Sequence, residues 1–177
     1  GAFVLKDAVA TVGKMDYTLF ESRATGSAII DLSTKMPKIS LKEKITALNL
    51  AVVAKTLAQK DLLEGMVDTT IDLTFAGKDA KAIEKSVSGS VAIVGKSVGV
   101  IGYDLDKVLG QYDKSQKVDA VDIGAFLVAG PIGTLLTKGG DVSGALDGMK
   151  GGKTLLKDLV LKTNINAGLA TLSDVAM

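Results

Sequence analysis

The sequence predicts an α+β fold, a mainly antiparallel sheet with short helices on one side or end. Three observations point to it. Between residues 67 and 75 apolar and polar side chains alternate. Val67, Thr69, Ile71, Leu73 and Phe75 take one face, and Asp68, Thr70, Asp72 and Thr74 the other. That is the period of a strand with one dry and one wet side. After a break at Ala76-Gly77-Lys78, Ala80, Ile83 and Val87 return at helical spacing. Gly89 then opens a second extended run, SVAIVGKSVGVIGYDL. Residues 64–109 therefore read as a strand, a short helix, a long hairpin divided by a Gly-Lys-Ser turn, and another short helix, and the rest of the chain is organised around them.

Residues 2–12 are β-rich and predict a first strand, with Gly13-Lys14 as its turn. Residues 17–32 predict a longer strand or hairpin arm interrupted at Gly26, with Ala28, Ile30 and Leu32 on one face. Met36-Pro37 marks a reversal, because proline holds its predecessor extended and has no N–H for a ladder. Residues 39–48 predict the next strand, with Ile39, Leu41 and Ile45 on one side and Lys42 and Lys44 on the other. Asn49 is placed to cap a helix over 50–60. Its Leu50, Val53, Ala54 and Leu57 form a narrow buried stripe, and Leu62-Leu63-Glu64-Gly65 closes the unit.

Beyond the central stretch, residues 104–109 predict a one- to two-turn helix, with Leu105, Val108 and Leu109 inward, and 111–117 a polar linker. Residues 119–136 predict a helix kinked or interrupted at Gly130-Pro131, and 142–149 one more short helix. Gly151-Gly152 reads as a break, 154–165 as extended with a helical turn as the alternative at 154–158, Asn166-Ala167-Gly168 as a turn and 169–177 as a last strand. A strand–helix–x-x-x-Gly–strand order occurs twice, at 39–65 and 67–89, too loosely for a solenoid period.

Composition excludes several classes of function. Among 177 residues there is no cysteine and no histidine. This removes disulfides, thiol nucleophiles, histidine-dependent triads and zinc sites built on nitrogen or sulfur. Lys plus Arg number 21 against 20 Asp plus Glu, so the chain has no electrostatic footprint for nucleic acid. The longest uncharged run, residues 123–137, contains three glycines and Pro131 and is too short to span a bilayer. It lacks the cationic face of an interfacial helix, and a core helix is the expectation at 123–128. Gly1 in place of Met, and an end at Ser173-Asp174-Val175-Ala176-Met177 without a polar tail, lead us to expect a piece of a longer protein.

Few residues suggest chemistry. Gly95-Lys96-Ser97 is similar to the end of a phosphate-binding loop, but the required first glycine would fall on Ser90, and the run that follows is extended where such a loop opens a helix. A hairpin turn is expected there. Asp68 and Asp72 share a strand face about 13 Å apart, too far for two carboxylates acting on one bond. Asp104 and Asp106 suit a helix start, and no D-x-D-x-D-G calcium loop is present. We expect no catalytic residue, no metal site and no cofactor, hence no enzyme.

A set of motifs nevertheless resembles one known family. Leu63-Glu64-Gly65 precedes a strand, Gly77 follows it, and Ser88-Gly89 follows the short helix. Gly102-Tyr103-Asp104-Leu105-Asp106-Lys107-Val108-Leu109 carries a Gly-x-Asp-Leu pattern leading into a helix. Asp122-Ile123-Gly124-Ala125-Phe126-Leu127-Val128-Ala129-Gly130-Pro131-Ile132-Gly133, Thr137-Lys138-Gly139, Gly151-Gly152-Lys153-Thr154, Asn166-Ala167-Gly168-Leu169-Ala170 and Asp174-Val175-Ala176-Met177 follow in order. Together, from about residue 24 to the end, they resemble the C-terminal region of the AsmA family.

The resemblance implies a single AsmA-like domain over 1–177, part of a longer protein anchored in the bacterial inner membrane by an N-terminal segment absent here, with this part in the periplasm. It implies a curved, groove-like sheet, related to bridge-like lipid-transfer proteins, with several short helices capping strand ends or one face. The partner it implies is a phospholipid or other acyl lipid moving between inner and outer membranes during envelope assembly, and no catalytic residues come with it. An aliphatic surface of this kind stabilises a bound chain by about 0.8 kcal/mol per methylene. The groove candidates are Val67, Ile71, Leu73, Phe75, Val91 and Ile93, which would equally serve as ordinary core. The alternative is a structural module that docks a partner envelope protein through sheet edges or helices, with no lipid bound.

Overall fold

The structure is a computed structural model in which residues 2–59, 61–103 and 150–176 are described. These residues form one eight-stranded sheet in which every strand pairs antiparallel with its chain neighbour: β1 (Phe3–Lys6), β2 (Val9–Leu19), β3 (Ser22–Asp31), β4 (Lys38–Asn49), β5 (Leu63–Ala76), β6 (Ser88–Tyr103), β7 (Lys150–Asn166) and β8 (Leu169–Ala176). The sheet is open, with β1 and β8 as its edges. Two short helices, α1 (Leu50–Ala58) and α2 (Ala80–Ser86), connect β4 to β5 and β5 to β6. The α+β expectation with a mainly antiparallel sheet holds. The helices expected at 104–109, 119–136 and 142–149, and the linker at 111–117, lie outside the described residues.

Several turns fall elsewhere than the sequence predicts. β1 and β2 meet at Asp7 and Ala8 (φ 51° and 61°), and β2 and β3 at Phe20 and Glu21 (φ 48° and 62°). Both are two-residue turns with positive φ at both positions, whose twist matches that of the flanking strands. Neither carries glycine, the residue that usually announces such a turn. The expected turn at Gly13-Lys14 is instead a bulge inside β2, where pairing skips from Val12–Ala28 to Met15–Gly26. Gly26 does not interrupt β3, because it pairs with Met15 on one side and Glu43 on the other.

The largest correction is at Gly95-Lys96-Ser97. No hairpin turns there, and β6 runs 16 residues without interruption. Lys96 pairs with Met66 on one side and Asp158 on the other. The irregularity is taken up by a bulge, with Gly65 at φ 107° and Ser97 at φ 54°, so glycine here marks a kink in a paired strand rather than its end. Gly151 and Gly152 (φ 97° and 99°) likewise sit inside β7, and β5 begins at Leu63, four residues before the alternating run. The turn at Ala167-Gly168 (φ 50° and 79°) is where the sequence places it.

Cross-strand register separates two faces. One row runs Ala24, Ile45, Thr69, Ile93, Leu161 from β3 to β7; of these, Ala24, Ile45, Thr69 and Leu161 are buried. The opposite face carries ladders of polar pairs: Lys42–Asp72 at 3.0 Å, Arg23–Asp16 at 2.7 Å, Lys162–Asp174 at 2.9 Å, and the Ser40 and Thr74 hydroxyls at 3.2 Å. These exposed ion pairs contribute little stability each and mainly specify which face is wet.

The helices begin as the sequence predicts. The Asn49 side chain accepts from the N–H groups of Ala51 (3.1 Å) and Val52 (3.4 Å), and Asp79 accepts from Ala82 N–H at 2.8 Å. The buried stripe on α1 is shallower than expected. Ala54 is buried, while Leu50 and Val53 are only half-buried, and the Leu57 side chain lies outside the described set. Among the described residues no helix is long and apolar enough to cross a membrane.

Candidate functional site: the apolar sheet face

All six groove candidates lie on the same face, in adjoining rows. Val67 stands opposite Leu48 and Gly95, Ile71 opposite Glu43 and Val91, Leu73 opposite Leu41 and Gly89, and Phe75 opposite Ile39. Ile93 pairs with Thr69 and Leu161. Directly opposite side chains on one face sit close enough to touch, so these residues form one patch extended by Leu159 and Leu161 on β7. Val67 is 2% exposed, and the other five are half-buried. Aliphatic side chains that pack on each other yet keep part of their surface open are what a sheet with one uncovered apolar face leaves behind.

Glycine shapes this patch. At Gly95 a Cβ would stand 2.6 Å from Val67 Cγ1. The missing side chain thus makes room for Val67 beneath the β6 bulge.

The face is not uniformly apolar. Glu43 belongs to the same set as Ile39, Leu41 and Ile45 on β4, and is only 7% exposed. The β3 residues opposite are small: Ser22, Ala24, Gly26 and Ala28 follow one another at alternate positions. This leaves a trough between β2 and β4, and the Glu43 carboxylate fills part of it. A Cβ on Gly26 would meet Glu43 Cδ and Oε2 at 2.6 Å. From β2, Tyr17 reaches the same carboxylate across Ala24. Burial, then the hydrogen bond to Glu43 and its negative charge, hold the Tyr17 hydroxyl above the ordinary phenol pKa.

One oxygen of Glu43, Oε2, is buried without a hydrogen-bond partner, and so is Thr69 Oγ1. Thr69 is buried at 5% exposure and sits two residues before Ile71, the residue facing Glu43. The two residues are therefore diagonal in register across β4 and β5, while the carboxylate itself reaches the other way, over Gly26. Sequence reading places Ile39, Leu41 and Ile45 on one face without remarking on Glu43. The signal was the same alternation, which puts position 43 among them.

A cavity of about 320 Å³ lies at the same level, lined by Thr25, Ser27, Lys42, Lys44, Thr70 and Asp72, which alternate with these, together with Gly13, Gly26, Glu43 and Ile71. Asp68 and Asp72 take structural parts, Asp68 accepting from Ala47 N–H at 2.9 Å and Asp72 pairing with Lys42. Among the described residues no three acidic side chains converge as a metal site would require. No family model, no curated protein and no solved structure matches the chain.

Proposed function

We propose that this chain is a non-catalytic, AsmA-like segment of a periplasmic lipid-transfer protein, and that the aliphatic face of its sheet shields the acyl chains of a phospholipid. The observation that carries the reading is the register, which gathers Val67, Ile71, Leu73, Phe75, Val91 and Ile93 into one partly open patch. The back of the same strands is mostly polar, with Met66 and Val94 exposed among its charged and hydroxyl side chains. Sheet curvature turns such a face into a groove, and helices standing at the strand ends would close its rim. An open edge at β1 or β8 suits extension by further strands, so that length supplies the binding free energy at about 0.8 kcal/mol per buried methylene.

The test is native mass spectrometry and lipid extraction of the purified chain expressed in a bacterial periplasm. Phospholipid retained in stoichiometric amount is the expected result. A chain that is lipid-free after both, and takes up none from vesicles, removes the reading.

A second reading, docking of a partner envelope protein through a sheet edge, draws on β1, where Phe3, Val4 and Leu5 are 65%, 58% and 63% exposed. It predicts a lipid-free chain whose complex is lost when the edge is blocked by Val4→Pro.

A further inference from the structure

We infer that one rim of the sheet, where β1 meets β2, β3 meets β4, β5 meets β6 and β7 meets β8, docks on an anionic phospholipid bilayer, and that the apolar face is loaded there. Loading rests on the acyl-groove reading; docking is measured apart from it.

Because every strand pairs antiparallel with its chain neighbour, alternate connections fall at the same end of the sheet. This end holds Asp7-Ala8, residues 32–37, the α2 connection and Ala167-Gly168. Backbone hydrogen bonds link the four in series. Leu32 N–H donates to the Ala8 carbonyl at 2.9 Å, Gly77 N–H to the Pro37 carbonyl at 3.1 Å, and Gly168 N–H to the Val87 carbonyl at 2.8 Å. The last contact is so close that a side chain at Gly168 would collide with the Glu84 carbonyl. The rim is one tied surface.

That surface carries both parts of an interfacial contact. Leu32 and Met36 are each 53% exposed, and Leu169 is 75% exposed. Single exposed apolar residues are ordinary, but these share one rim with Lys6, Lys35, Lys38, Lys78, Lys81 and Lys85, all exposed. Among the described residues none of the six forms an ion pair. The rim has four acidic residues, Asp7, Asp31, Asp79 and Glu84. Asp31 accepts from the N–H and hydroxyl of Ser33, and Asp79 caps α2, so the chain's own donors hold two of the four. Lys35 and Lys38 flank Met36, and Lys85 adjoins Gly168 beside Leu169. An apolar tip can enter the headgroup layer while its lysine neighbours reach phosphate. At the other rim, among the described residues of its connections, no large apolar side chain is exposed; Phe20 and Leu62 are half-buried.

Immediately inside the docking rim runs the row Leu5, Ala10, Ile30, Ile39 and Phe75, from β1 to β5. It has no polar member. The helix α2 stands only between β5 and β6, so from β1 to β4 loops alone separate this row from the rim. Tails lifted from a leaflet here meet apolar side chains at once.

The test is flotation of the full chain with phosphatidylcholine vesicles and with vesicles in which phosphatidylglycerol replaces part of the phosphatidylcholine, at low and high salt. Circular dichroism confirms folding. Wild type is expected to bind the anionic vesicles at least about tenfold better, with the gain reduced by salt. Lys78→Gln with Lys81→Gln and Lys85→Gln, or Leu32→Ser with Met36→Ser and Leu169→Ser, should lower that binding about tenfold or more. Lys55→Gln with Met66→Ser, exposed positions away from this rim, should leave it unchanged. Phospholipid remaining on the chain after the vesicles are removed reports loading, and should be slower to appear in both rim variants.

Equal binding to the two vesicle types, or rim variants that bind as wild type does, overturns the docking rim. Lipid taken up by a chain that does not dock also overturns it while the acyl groove stands. Docking without uptake keeps the dock and removes loading together with the acyl groove. The comparison of vesicles on wild type decides docking even if a variant does not fold.

Discussion

The carboxylate of Glu43 lies directly over the α-carbon of Gly26, so close that a methyl group there would stand 2.6 Å from Oε2. It would press still harder on the Lys42 carbonyl, which is backbone and cannot swing away. Gly26→Ala is therefore expected to destabilise the fold by about 1–3 kcal/mol, the usual cost of overpacking. Gly13→Ala is the control. The nearest atoms there are 3.8 Å away, and the change should stay within about 0.5 kcal/mol. Urea midpoints of the two variants, measured side by side, decide this.

The Tyr17–Glu43 contact predicts a pH effect of definite sign. Burial, the hydrogen bond to Glu43 and its charge raise the Tyr17 hydroxyl above the ordinary phenol value of 10.0. Over the interval from that value up to the raised one, the folded chain holds more protons than the unfolded chain, so stability falls as pH rises. The contribution is complete below pH 10 and lost above the folded-state value. Ultraviolet titration at the tyrosinate band, taken as wild type minus Tyr17→Phe, should show a late-ionising phenol. Glu43→Gln should bring it down toward the ordinary value. A Tyr17 that titrates normally in wild type would contradict the contact.

Ser86 ties the end of α2 to the last residue of β5. Its hydroxyl accepts from Ala76 N–H at 2.8 Å, and its proton faces the carbonyls of Ala76 (2.6 Å) and Ile83 (2.9 Å). Ser86→Ala leaves an N–H at the strand end without this partner, and a loss of about 1–2 kcal/mol follows. Amide exchange should show Ala76 N–H losing protection in the variant more than the amides of β2.

Lipid retention should depend on which face is altered. Ile71→Ser with Val91→Ser opens two facing positions of the aliphatic patch and is expected to lower affinity for phospholipid about tenfold or more, from the apolar area removed. Asp72→Asn with Ser90→Ala alters two facing positions of the adjacent row, on the wet side, and should leave lipid retention unchanged. Equal effects of the two pairs would mean that lipid, if bound, does not use this face.

Glutamate at position 43 shows how far the sequence could be read. Alternation is local, so the strands at 39–48 and 67–75 with their wet and dry sides, the extended run at 154–165, and the cap at Asn49 were legible from residue order alone. The positions of the turns were less so. Asp7-Ala8 and Phe20-Glu21 adopt left-handed backbone without glycine, while Gly13, Gly26, Gly95 and Gly151-Gly152, which look like breaks, lie inside paired strands.

What the chain by itself determined is periodicity: which side chains share a face of each strand, where helices begin, and which chemistries the missing cysteine and histidine forbid. Only the tertiary structure decided register. Glycine without a side chain permits a turn, a bulge or a close approach alike, and the neighbouring strand selects among them. Register then set Glu43 over Gly26 and diagonal to Thr69, so that two polar groups far apart in the chain were left unpaired on one apolar face.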